Sequence, residues 1–214
     1  FIVCALHFAQ TSIYLWIILL GQGHIDVGLE NFATLTDGKV IPNPRFYKRS
    51  EKVLAKEQRK LSKLTKGTPE RRKQGKRLAK VHEKISNRRR DFCHKLSKKI
   101  VHEYQYICIE DLNIKKMVQD NYLAKGIHDA SWNQFRQFLS YKAVEAGRKI
   151  GIANPAYTSQ ECSKCHQREH KSLSQRRHIC SKCGYQATRD FNASENILAI
   201  GLDGLGVIPR SLRL

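Results

Sequence analysis

The sequence predicts an α/β protein in which strand-length runs flank a basic helical hairpin and, farther along, a metal-binding knuckle. Three observations carry this. Short apolar runs of strand length, within residues 25–40, 104–110 and 150–153, alternate with longer stretches of helical period. Residues 45–102 hold 22 basic side chains and only 5 acidic ones, a local net charge of +17 within a chain total of +20. Cys162-Ser-Lys-Cys165 and Cys180-Ser-Lys-Cys183 form two CxxC pairs, separated by 14 residues.

That cysteine spacing suits one tetrahedral Zn²⁺, because each pair sits on a tight knuckle and presents two thiolates to a shared ion. A chain of 24.7 kDa builds a core without disulfides, so metal ligation is favoured over bridging. Cys4, Cys93 and Cys108 lie in apolar or helical settings and read as buried thiols. Size allows one domain, or one domain with a small module. A pI near 9.9 attracts polyanions, and counterion release makes phosphate backbones the natural partner.

Residues 1–20 are uncharged and mostly apolar, long enough to cross a membrane on length alone. They contain His7, Gln10, Thr11 and Ser12 and no basic cluster at their start, which disfavours a signal peptide. A truncated or mis-framed N-terminus packing on the core is the favoured reading over a membrane span. Residues 25–40 read as a strand, a turn at Asp37-Gly38 and a returning strand, with Asp26 near a strand end. Helices over 46–66 and 70–102 are separated by Gly67-Thr68-Pro69-Glu70, where Gly ends the first, Thr caps the second and Pro fits its first turn. Leu78, Val81, Ile85, Phe92, Leu96 and Ile100 follow helical spacing, and Leu54, Leu61 and Leu64 line the partner. The one-sided charge of the pair marks it as a nucleic-acid-contacting face.

Residues 104–110 form a buried strand that delivers Glu110 at its end. Residues 132–147 form a helix with Trp132, Phe135, Leu139, Ala143 and Ala146 on its core face, and 150–153 form another strand. A last helix over 191–201 turns Ala193, Ile197, Leu198 and Ile200 inward and ends at Gly201. Asp26 and Glu110 therefore lie at strand ends, and Asp190 opens a helix. Converging carboxylates hold the pair of divalent ions that phosphodiester hydrolysis uses, and hard oxygen donors point to Mg²⁺. Asp190 alone reads equally well as a helix-start acid; the constellation of three is what points to a site.

IDVGLENFATLTDG, IEDLN, YTSQECSKC…CSKCG and RDFNASENIL, in this order, closely resemble TnpB, the transposon-encoded relative of type V CRISPR effectors. The resemblance runs from about residue 24 to 201. It implies an RNase H-like (RuvC) nuclease interrupted by a zinc ribbon, in which a transposon-derived guide RNA directs cleavage of target DNA. It further implies Asp26, Glu110 and Asp190 as first, second and third catalytic acids, and Cys162, Cys165, Cys180 and Cys183 as ribbon ligands. The expected organisation is an apolar leader (1–23), a nuclease segment (24–157) carrying the hairpin (45–102), the ribbon (158–187) and a closing nuclease segment (188–214). His24, Thr188 and His166 depart from the family pattern, as does Gly21-Gln22-Gly23 at the start of the first strand. Nothing before residue 24 resembles the family's wedge and recognition domains. The expectation is thus an N-terminally truncated, RNA-guided, Mg²⁺-dependent endonuclease of the cytoplasm and nucleoid, without a small-molecule substrate; the alternative is a catalytically weak or inactive nucleic-acid-binding remnant.

Overall fold

Parallel strands need long crossovers, and this chain places a helical segment in each one. The computed structural model describes residues 21–35, 37–172 and 175–206. Five strands, β1 (Gln22–Val27), β2 (Asn31–Leu35), β3 (Val40–Pro42), β4 (Tyr106–Glu110) and β5 (Lys149–Ala153), form one sheet in the order β3-β2-β1-β4-β5. The first three run antiparallel to their neighbours, and β1, β4 and β5 run parallel. Helices α1 (Phe46–Ser62) and α2 (Pro69–Glu103) link β3 to β4; α3 (Ile114–Met117), α4 (Asn121–Ala130) and α5 (Trp132–Glu145) link β4 to β5. A two-stranded sheet of β6 (Arg177–Ile179) and β7 (Gln186–Thr188) precedes the last helix, α6 (Arg189–Gly204).

Alternation along a strand sends successive side chains to opposite faces. Ile25, Ile107 and Ile109 are buried in a core with Leu96 and Ile100 of α2 and with Phe135 and Leu139 of α5. Phe32 joins it edge-on to Phe92 and Phe135, at ring distances of 4.9 and 5.2 Å. His24, Asp26, Cys108 and Glu110 consequently belong to the other face, which α6 covers. In the sequence Gly201 reads as the stop of that helix. Instead the helix continues to Gly204, and Gly201 is a buried contact: a Cβ there would lie 2.4 Å from the Cys108 sulfur. A Cβ on Gly151 would in turn lie 2.5 Å from the Gly201 carbonyl oxygen. Two glycines let helix backbone approach sheet backbone at this point.

The sheet holds one strand more than residues 25–40 suggest. Gly28-Leu29-Glu30 makes an extra reversal, with the Gly28 N–H donating to the Phe32 carbonyl at 3.2 Å. Asp37-Gly38 turns the chain between β2 and β3, as expected. Strand β1 starts at Gln22 and pairs in register with β4 from Gln22–Tyr106 to Ile25–Ile109, so its unusual start does not displace Asp26.

α1 and α2 pack antiparallel: Arg71 donates to the carbonyls of Leu61 and Leu64 at 2.8 and 2.6 Å, Gln74 to that of Glu57 at 3.1 Å, and Phe46 meets Phe92. Thr68 caps α2 by accepting from the Arg71 N–H at 3.3 Å, with Pro69 in the first turn. Leu54, Ile85, Leu96 and Ile100 are buried as their spacing predicts, whereas Leu78 and Val81 are only half-buried because α2 outruns the core there. Asp129, 7% exposed, anchors the base of the pair by accepting from the Tyr47 and Lys48 N–H groups and from Arg89. Ala146 is exposed, since α5 ends at Glu145 and turns away from the core. Cys93 and Cys108 are buried cysteines outside any disulfide. Cys4 and the apolar stretch 1–20 lie outside the described residues; among these, no helix is long and apolar enough to cross a membrane.

Candidate active site and metal centre

Asp26 pairs with Thr34 of β2 and lies one residue beyond the last β1 position paired with β4, Glu110 ends that neighbouring parallel strand, and adjacent strands lie about 4.8 Å apart. Asp190 occupies the first turn of α6, the helix that covers this face. The three groups interact. Burial pushes the Asp26 carboxyl up to about 7, and the charges of Glu110 and Asp190 push it in the same direction. Burial also raises Glu110, partly offset by a hydrogen bond from Thr158. Asp111 and Asp37 are engaged elsewhere, Asp111 with Arg136 at 2.8 Å and Asp37 with Tyr104 at 2.7 Å and with Lys39. Two desolvated carboxyls that share a face with a third acid fit a cation, which, once the carboxyls are ionised, offsets both the repulsion and the cost of burying charge. Their oxygens are the hard donors that Mg²⁺ takes.

His24 stands two residues before Asp26 on the same face, in register with Cys108 beneath α6. Its burial is complete, and desolvation holds the imidazole well below its ordinary value, at about 3, so it is neutral.

The four cysteines converge. Their sulfurs lie within 4.8 Å of one another, Cys162 with Cys183 at 3.7 Å and Cys165 with Cys180 at 3.4 Å. Metal–sulfur bonds of ~2.3 Å in a tetrahedron place sulfurs ~3.8 Å apart, so the residues fit a four-thiolate ion. Burial pushes the Cys162 thiol up to about 12; Cys180, against the same effect of burial, is drawn down to about 7 by the Cys183 N–H and the neighbouring sulfurs. His166 and His178 do not compete for the site: His166 bonds Glu161 at 3.1 Å, and His178 bonds Lys171.

The acid face and the cysteine cluster meet along one side of α6. Asn192 donates to the Glu161 carbonyl at 2.7 Å and accepts from the Ser163 N–H at 3.0 Å. Asn196 donates to the carbonyls of Thr158 and Glu161 at 2.8 and 2.7 Å. Both asparagines thus act as supports rather than ligands, as their spacing of one helical turn predicts. Glu195 completes the grip by accepting from Ser163, Lys164 and Tyr185 at 2.6, 3.1 and 2.8 Å. Thr158, held by Asn196, is the residue bonded to Glu110, so the first cysteine knuckle is tied to the carboxylates through a single loop. Sequence reasoning missed Thr158 and Glu195. The available signal was the spacing Asn192, Glu195, Asn196, which puts three polar groups on one side of the helix.

A family model described as a probable transposase matches residues 24–121, and one described as a Cas12f1-like TNB domain matches residues 132–197. A protein of Streptomyces pristinaespiralis, named as a candidate RNA-guided DNA endonuclease, is 39% identical over 83% of this chain and 44% of its own length. InsQ of Escherichia coli K12, named in the same way, is 34% identical over 83% of this chain and 48% of its own. The chain therefore spans about half the length of these relatives. The cryo-EM structure of a Cas12f1–sgRNA–target DNA complex shares the fold, with a TM-score of 0.58 at 20% identity over 82% of this chain and 48% of that one. The motifs read from the sequence, the two consecutive family matches and the shared mixed α/β fold lead to one assignment: this chain belongs to the TnpB family.

Proposed function

We propose that the chain is the nuclease part of an RNA-guided, Mg²⁺-dependent DNA endonuclease. In this reading the five-stranded sheet with α6 is an RNase H-like, RuvC-type unit formed by residues 24–157 and 188–214, with the helical pair 45–102 and the zinc ribbon 158–187 as insertions. One observation carries it: the register of β1 on β4 puts Asp26 beside the end of the strand that delivers Glu110, on the face covered by the helix whose first turn holds Asp190; burial first, and then the charges of Glu110 and Asp190, push the Asp26 carboxyl up to about 7.

Asp26, Glu110 and Asp190 would hold the Mg²⁺ ions. Bound there, Mg²⁺ would neutralise charge at a phosphodiester and acidify a water for attack. The protein's own share is positioning. Asp26, whose carboxyl burial and then the charges of Glu110 and Asp190 push up, would bind a cation only after losing its proton, so occupancy at limiting metal would rise with pH. The Thr158 hydroxyl, which also reaches the Pro155 carbonyl at 3.2 Å, lies beside Glu110 and partly offsets the rise that burial causes in its carboxyl. Zn²⁺ on Cys162, Cys165, Cys180 and Cys183 would hold the loop 158–163 that carries this threonine. Lys and Arg of α1 and α2 would grip guide RNA and target DNA by their phosphates, a sequence-independent contact. The function places the protein in the cytoplasm, at the nucleoid.

Cleavage of DNA by the full chain, measured with and without Mg²⁺ and with guide RNA present or absent, tests this. Asp190→Ala should abolish Mg²⁺-dependent cutting and leave nucleic-acid binding within roughly twofold. A wild-type chain that binds but never cuts would overturn the nuclease reading in favour of a nucleic-acid-binding remnant.

A further inference from the structure

Tyr157 holds its backbone in the left-handed region, at φ 67. That conformation is uncommon and strained for a bulky side chain. The turn is fixed because the Tyr157 carbonyl accepts from the N–H groups of Gln160 and Glu161, both at 2.9 Å. Yet the ring is not folded into the core, and the residue is 52% exposed. One ring face is covered by the Arg168 guanidinium. The next residue, Thr158, is buried and bonded to Glu110. Phe191, 43% exposed, directly follows Asp190. Along the chain, one exposed aromatic residue therefore directly precedes Thr158 and another directly follows Asp190. Neither ring contributes much burial to the fold, and one is held at the cost of backbone strain.

We propose that Tyr157, backed by Arg168, is a stacking platform for an unpaired base of the strand presented to the carboxylates, with Phe191 as a second apolar surface on the Asp190 side. The location of the strand rests on the reading of Asp26, Glu110 and Asp190 as a cutting site. Every base has a π-face, so such a platform is tolerant of sequence. Bases within a duplex are already stacked on one another and offer no free face, so the platform selects unpaired strand. Arg168 is planar and stays charged; it stiffens the tyrosine and adds a cation beside the backbone phosphates.

The test uses the full chain without added Mg²⁺ and without chelator, and an oligonucleotide carrying 2-aminopurine, either single-stranded or annealed. The wild type should quench the single strand's emission on binding. Tyr157→Phe should retain the quenching. Tyr157→Gly removes the ring and suits the backbone, since glycine adopts positive φ freely; it should melt no lower than the wild type. Its affinity for the single strand should fall about tenfold, as expected for loss of one stacked base. Duplex affinity should stay within roughly twofold. Equal single-strand affinities for wild type and Tyr157→Gly overturn the platform, and so does an equal loss on both substrates. Because binding is read without Mg²⁺, the two readings fail separately. A wild type that quenches but never cuts sinks the nuclease and keeps the platform; a wild type that cuts but is indifferent to Tyr157→Gly does the reverse.

Discussion

Replacing Asp26 with Asn should stabilise the Mg²⁺-free protein while removing its capacity to hold a catalytic metal. The folded-state pKa of Asp26 is raised from 3.8 to about 7, first by burial and then by Glu110 and Asp190. A group with a raised acid pKa binds its proton more tightly in the folded chain than in the unfolded one. Between about pH 4 and pH 7 the folded state therefore holds the extra proton, and stability falls as pH rises, by ~1.4 kcal/mol per pH unit. The loss is complete above the folded pKa and reaches an upper figure of about 4 kcal/mol. An asparagine of nearly the same shape has no proton to lose, so its curve should be flatter over this window. Thermal melts at pH 5 and pH 8 measure the difference. At 2–4 °C per kcal/mol for a chain of this size, Asp26→Asn should gain roughly 5–15 °C relative to the wild type at pH 8 and far less at pH 5. Adding Mg²⁺ should raise the melting temperature of the wild type and leave the variant unmoved. Parallel melting curves for the two proteins across pH 5–8 would refute the reasoning, because Asp26 would then be neither desolvated nor crowded by its neighbours.

Gly151→Ala should lower the melting temperature by about 3–10 °C: its Cβ would meet the Gly201 carbonyl oxygen at 2.5 Å, and overpacking against backbone costs about 1–3 kcal/mol. Unchanged melting would show that α6 does not press on β5. Glu195→Ala removes the acceptor shared by Ser163, Lys164 and Tyr185, so metal bound at the cysteines should exchange to a colorimetric chelator several-fold faster. An unchanged exchange rate would mean that the knuckle stands without the helix. Reversing Lys76, Lys80, Lys84 and Arg88 on α2 to Glu should weaken binding to all DNA and RNA sequences alike and reduce the salt slope by about 0.9 for each phosphate no longer neutralised. Normal binding by that variant would make the helical pair a strut.

Much of the site was legible because its residues carry their own local signals. Glu110 ends an apolar run too short for a helix, the CxxC pairs announce a shared ion, and Thr68-Pro69 marks a helix start whatever surrounds it. The proposed grouping of Asp26 with Glu110 and Asp190 came from the family's motif order; the register of β1 on β4, which bears on it physically, was not legible. Gly201 looks like a stop signal because glycine usually ends helices; here it is needed for close approach to Cys108, a contact between residues 93 positions apart that no local window contains. The extra reversal at Gly28-Leu29-Glu30 is hidden because Leu29 and Glu30 continue the alternation of a strand. Helices α3 and α4 escaped the sequence reading altogether, and with them Asp129, whose role appears only when α1, α2 and α4 are brought together. Thr158 and Tyr157 escaped it for the same reason: one matters for the carboxylate it meets, and the other for the solvent it faces.

The most direct test of the central claim is the anomalous signal of Mn²⁺ in crystals of the full chain, with Mn²⁺ standing in for Mg²⁺. The account predicts two ions about 4 Å apart between Asp26, Glu110 and Asp190, both absent from Asp190→Ala crystals that keep the metal at the four cysteines. Crystals with the cysteine site filled and no Mn²⁺ among the three carboxylates would contradict it.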